Sequence, residues 1–167
     1  MRMTPEISFR NAVRANLSTL DDRIENVLAS LIGHRYPAEV HALSFEVFSE
    51  SFTSGFPVRA FFLDRTNTEH FVCVDGKETY PSPVDPGLIE IDHVYPQELE
   101  DEFDATSPEP NAWEIAADEL VAWFAERWRR AGGVRFPLAC TIGCHDAPDE
   151  LNLVSGARQP RYASFVP

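Results

Sequence analysis

From Thr4 to Gly33 the apolar residues Val13, Leu17, Leu20, Ile24, Leu28 and Leu31 recur at spacings of three and four. Asn11, Arg14, Asp21, Asp22, Arg23 and Glu25 fill most of the opposite face, so the segment reads as amphipathic helix. Thr4–Pro5 makes a natural start, because proline in the first turn loses no hydrogen bond the helix would have made. Gly33 makes a natural stop. Ser18 and Thr19 are both capping types, so the helix can divide there, with a second one starting at Leu20.

From Val40 the period changes to two. Leu43, Phe45 and Val47 alternate with Ser44 and Glu46, the pattern of a strand with one buried face. Val58 to Leu63 and His70 to Val74 predict two further strands, joined through the polar Asp64–Thr68 turn. Asp75–Gly76 is a hairpin signal, returning as Lys77 to Tyr80. Pro81, Pro83 and Pro86–Gly87 impose a loop before alternation resumes between Leu88 and Tyr95.

Leu99 and Phe103 lie four apart within Glu98–Asp104, so one helical turn can dock there by its apolar side. Ser107–Pro110 reads as a linker. Next comes the clearest element of the chain. Asn111 with Glu114 has the form of a capping box, and Trp113, Ala116, Ala117, Leu120, Phe124 and Trp128 follow with helical spacing. That stripe assigns Trp113 and Trp128 to the core and leaves Trp123 off it. Arg127, Arg129 and Arg130 suit the carboxyl end of the helix dipole, and Gly132–Gly133 end the helix. Phe136–Ile142 and Leu151–Val154 predict the last strands. Residues 158–167 carry little pattern and either trail loosely or lie across the surface.

Helix, antiparallel meander, acidic linker, helix and short strands together predict one α+β domain over residues 1–167. Its sheet is expected to be largely antiparallel, of about five to six strands, with the N-terminal helix and the tryptophan-rich helix packed on it. A chain of 167 residues with 44% hydrophobic residues and 12 Phe has the material for one core. Its three cysteines, irregularly placed, make no disulfide framework. Residues 1–10 lack the apolar run of a signal peptide, and no stretch approaches the roughly 20 apolar residues of a membrane span. The expectation is a cytoplasmic protein with no membrane partner. Lys77 is the chain's one lysine beside its many arginines, which points to a GC-rich bacterial genome.

Charge changes the picture most. The net charge is −13, and the segment from Glu78 to Glu126 holds 14 of the 27 carboxylates and none of the 14 Lys and Arg residues. Glu98, Glu100, Asp101, Glu102 and Asp104 fall within seven positions. A pI near 4.7 argues against nucleic acid, whose phosphates demand a basic footprint. Like charges crowded on one surface cost stability, so the block is either a solvated face or a recognition surface. The leading expectation is a non-enzymatic module that engages a basic protein through Glu90–Asp104 and the start of the Asn111 helix. Trp123, Leu99 or Phe103 would then supply apolar anchors. Inhibitors and immunity proteins that cover basic toxins work in this way, by presenting the charge the toxin expects from its substrate.

A different class of function centres on Cys140, Cys144, His145 and Asp146. Cys140, Cys144 and His145 are zinc-ligand types, and Cys144 beside His145 and Asp146 suggests an activated thiol in a small hydrolase, with His93 as a further candidate. Against this stand the missing second ligand cluster and the alternation of a strand, which sends Cys144 and His145 to opposite faces. Asp92–His93 and His145–Asp146 raise the same possibility of a carboxylate-oriented imidazole. Phosphate-binding loops and calcium loops are absent, and no cofactor is expected. Homo-oligomerisation through a sheet edge or the tryptophan helix is a third reading.

Overall fold

The computed structural model describes residues 3–55, 57–83, 88, 89, 91, 93–106 and 109–166. The Pro86–Gly87 turn, Glu90, the carboxylate of the Asp92–His93 pair and Ser107–Pro108 lie outside the described residues.

Thr4 caps α1 (Pro5–Ser18): its hydroxyl accepts the Ile7 N–H at 3.3 Å, and Phe9, Val13 and Leu17 form the buried face. After Thr19–Leu20 comes α2 (Asp21–Gly33), burying Ile24, Leu28 and Leu31. The helix does divide at the expected place, but not by the expected caps. Ser18 Oγ donates to the Arg14 carbonyl and Thr19 Oγ1 to that of Asn16, so both hydroxyls close α1. Leu20 precedes α2 without any side-chain cap.

β1 (Ala42–Val47) and β2 (Val58–Leu63) pair antiparallel, Phe45 opposite Ala60. β3 (Val72–Val74) and β4 (Lys77–Thr79) form a separate two-stranded ribbon. Its turn uses Asp75 and Gly76, both at positive φ, as a primed hairpin turn requires. β5 (Leu88–Ile89) pairs with β2. The helices α3 (Gln97–Asp104) and α4 (Ala112–Arg130) follow, then β6 (Ala139–Cys144), β7 (Asp149–Asn152) and β8 (Arg158–Pro160). The main sheet has the order β5-β2-β1-β6-β7-β8. All its pairings are antiparallel except β1 with β6, and the helices α3 and α4 lie in the crossover that a parallel pair requires.

Several boundaries differ from the sequence pattern: β3 begins at Val72 rather than His70, and β5 holds only Leu88–Ile89 of the alternation expected to reach Tyr95. β6 begins at Ala139, later than Phe136, because a 3-10 turn at Gly133–Arg135 and Pro137 hold the chain out of the sheet. Gly133 lies under the Trp128 indole, so close that a Cβ there would meet Nε1 at 2.0 Å. β7 begins at Asp149, ahead of Leu151.

The alternation of β1 sorts the sheet into two faces. Leu43, Phe45, Val47, Cys140 and Ile142 are buried against the helices, with Phe45 4.9 Å from Phe124 and 5.7 Å from Trp128, ring to ring. Ser44, Glu46, Thr141, Asn152, Glu150 and Gln159 occupy the other face by register. Among the described residues no α-helix covers that face, and the chain after β8, with a 3-10 turn at Ala163–Phe165, closes part of it. Arg161 donates to Glu46 and to the Ala147 carbonyl, and Phe165 packs on His41. Residues 158–166 therefore lie across the surface.

Candidate functional site

α3 is short, and its position follows from two apolar residues. Phe103 is buried, stacked 4.8 Å from Phe9 of α1, and Leu99 packs partly beside it. With that side docked, the helix turns its remaining positions outward: Glu98, Asp101, Glu102 and Asp104 are all exposed. No described Lys or Arg makes an ion pair with any of them or with Glu100. Glu98 and Glu100 also lie in the first turn, where the helix dipole favours negative charge.

Glu100 is half-buried and differs from its neighbours. Its Oε2 accepts both the Tyr95 hydroxyl and, at 3.2 Å, the Trp113 indole N–H. Tyr95 is fully buried, and burial together with the Glu100 carboxylate pushes its phenol pKa far upward, so it stays a proton donor. The carboxylate is thus fixed from below. Glu100, Asp104, Asn111, Ala112 and Trp113 line an open recess of about 230 Å³ between the carboxyl end of α3 and the amino end of α4.

Trp113 is 48% exposed, which corrects its assignment to the core. Ala116, Leu120, Phe124 and Trp128 of the expected stripe are buried, but at the start of α4 the buried positions are Ala112 and Ile115, the first of them one residue before Trp113. A step of one residue turns a helix by about 100°, enough to move an indole from core to surface. The readable signal was Ala112 with Ile115 and Ala116, an i, i+3, i+4 set that leaves Trp113 aside. The capping box itself is present, Asn111 Oδ1 accepting the Glu114 N–H at 2.9 Å. Trp123 is half-buried between helices, its N–H donating to Asp21 Oδ1 at 2.7 Å.

Other acids of the same segment are neutralised. Glu119 is buried, and its two oxygens take Arg10 at 2.7 Å and Arg14 at 2.6 Å. Burial alone would raise its pKa, but hydrogen bonds from Arg14 and Arg10 outweigh that and hold it below the usual carboxylate range. Arg127, also buried, gathers Glu126 with Asp21 and Glu25 of α2. These pairs bind α1 and α2 to α4. The sign in the sequence was Arg10 and Arg14, four apart on one helix, together with an acid on the apolar stripe of another.

The cysteine–histidine segment does not assemble into one centre. By register Cys140 pairs with Leu43 and Cys144 with Val47, so both thiols face the helices. Burial drives the Cys140 thiol pKa well upward and raises that of Cys144, with Asp118 adding to the latter, so neither is an activated thiolate. His145 points the other way, its Nδ1 2.6 Å from Glu46 Oε2, with Asp146 exposed and 4.0 Å from Nε2. The Glu46 hydrogen bond raises the imidazole pKa. His93 is held elsewhere, its carbonyl accepting from Asn16. Among the described residues no group of three or more His, Cys, Asp or Glu side chains is placed to hold a metal ion. No described helix is long and apolar enough to cross a membrane.

Comparison with known proteins adds no relative: no family model, no curated protein and no solved structure matches the chain.

Proposed function

We propose that the protein is a non-enzymatic binding module that engages a basic protein partner through the outer face of α3, in the manner of an inhibitor or immunity protein. The observation that supports this reading is the contrast in counter-ions. Glu98, Asp101, Glu102 and Asp104 stand exposed on one short helix with no described base beside them. A fold that provides arginines for Glu119, Asp21 and Glu25 leaves these four to find a cation from outside. Unscreened charge of one sign attracts an oppositely charged partner before contact and repels wrong ones, which acts mainly on association rate.

The test is neutralisation. A variant carrying Glu98→Gln, Asp101→Asn, Glu102→Gln and Asp104→Asn is expected to keep its stability within about 0.5 kcal/mol, because exposed positions without a counter-ion contribute little. Affinity capture from native lysate then compares the variant and the intact protein at low and high ionic strength. The intact protein should recover a basic protein at about 0.1 M salt and lose it near 1 M, where the Debye length shrinks from about 10 Å to about 3 Å. Against the purified partner, the variant should associate at least about tenfold more slowly. Equal capture and equal rates for both forms would overturn the reading.

A further inference from the structure

Building on that reading, we infer that the recess between α3 and α4 is a pocket for an arginine side chain of the partner. The recess has one aromatic wall and two carboxylate walls. Trp113, half exposed, supplies the ring, and its N–H bond to Glu100 fixes the ring's orientation. Glu100 is anchored through Oε2 by Tyr95 and Trp113, while no described residue donates to its Oε1. Asp104 is exposed, accepts from no described side chain and lines the same recess.

The chemistry of the walls selects the occupant. An anion would meet Glu100, Asp104 and the nearby capping carboxylate of Glu114. An apolar side chain would desolvate those carboxylates without returning a hydrogen bond, which is costly. A cation satisfies both walls, because the indole face attracts positive charge and the carboxylates accept its donors. Guanidinium suits better than ammonium: it is planar, stacks on an aromatic face, and presents paired N–H donors at its edge. The amino end of α4 opposes a cation with roughly half a positive charge, but the carboxyl end of α3 brings roughly half a negative one, so the helix dipoles nearly cancel and the carboxylates decide the sign. A volume of about 230 Å³ exceeds several times the roughly 30 Å³ that one water occupies in the liquid, enough for a guanidinium and part of its stem.

The experiment titrates a short arginine–glycine peptide into the full chain and reads affinity in every form from the backbone amides of α3 and α4 by NMR, with the Trp113 indole N–H as a further reporter where Trp113 is present. A lysine–glycine peptide of equal charge and a citrulline–glycine peptide serve as comparators. The arginine peptide should shift those resonances at lower concentration than the lysine peptide, and the citrulline peptide should not shift them. Trp113→Ala, which truncates a half-exposed ring and spares the core, should weaken the arginine peptide roughly threefold to tenfold, with Trp113→Phe in between. Tyr95→Phe frees Glu100 while keeping the packed ring, and should weaken arginine binding without abolishing it. Unchanged binding in Trp113→Ala, or equal response to arginine and lysine, would overturn the pocket. If binding of both basic peptides still falls when Glu98, Asp101 and Glu102 alone are neutralised, the acidic-module reading survives that failure. If it does not fall, both are overturned.

Discussion

Glu119 and Glu102 come from the same base-free stretch of sequence, and the fold treats them in opposite ways. Glu119 lies on the buried stripe of α4, where two arginines of α1 close on it. Glu102 stands on α3 in water with no described base beside it. A buried carboxylate without partners would cost several kcal/mol, so its counter-ions are a condition of folding. An exposed one is solvated and imposes no such condition. Local density of acid in the chain therefore mixes two populations, an inner set that fastens helices and an outer set free to meet another molecule.

Three substitutions sharpen or break this division. The largest effect belongs to Arg127→Met, which removes the cation shared by Asp21, Glu25 and Glu126. Breaking a buried pair costs about 3–5 kcal/mol, and partial exposure of these carboxylates reduces the expectation to about 2–4 kcal/mol, read from urea unfolding. A loss no larger than that of the four-fold α3 variant would erase the distinction between inner and outer acids.

Glu119→Gln comes next, at about 1–3 kcal/mol near neutral pH, since one neutral acceptor replaces a carboxylate bound to two arginines. This pair also has a pH signature. The folded-state pKa of Glu119 lies below its ordinary value of 4.5, so its contribution is complete above about pH 4.5 and is lost as pH falls through the lower, folded value. The intact protein should lose that increment in acid, and Glu119→Gln should not. Parallel acid unfolding curves for the two forms would show that the pair contributes nothing.

The smallest effect concerns His145 and Glu46, on the sheet face that no described α-helix covers. Because the Glu46 bond raises the imidazole pKa, its contribution is complete below the unfolded value near 6.5 and is lost as pH rises through the folded value. Glu46→Gln should move the His145 titration to lower pH, followed by NMR of the ring protons, and any loss of stability in that variant belongs to the Glu46–Arg161 pair rather than to half-exposed His145. An unmoved titration would mean that the 2.6 Å contact does not persist in solution.

Much of the architecture was legible in the chain because it rests on short-range periodicity. The period-two run at Leu43–Val47, the Asp75–Gly76 turn and the Asn111–Glu114 box each specify backbone locally, and each appears where expected. Trp113 escaped because two overlapping stripes fit the start of α4, and only packing against α1, α2 and the sheet selects between them. Ser18 and Thr19 escaped because a hydroxyl that can cap the next helix can equally bond back into the previous one. The strand argument did separate Cys144 from His145 in advance, since alternation is a property of the backbone alone.

Taken by itself, the amino-acid order determined the class of fold and the place where acid accumulates, because helical and strand periods and the absence of bases are written in consecutive residues. Only the tertiary structure decided which acids are answered and which are not. Arg10 and Arg14 lie more than a hundred residues from Glu119, and their meeting depends on how α1 packs along α4. The same packing brings Trp113 beside Glu100 across the gap between two helices, a juxtaposition that no local pattern encodes.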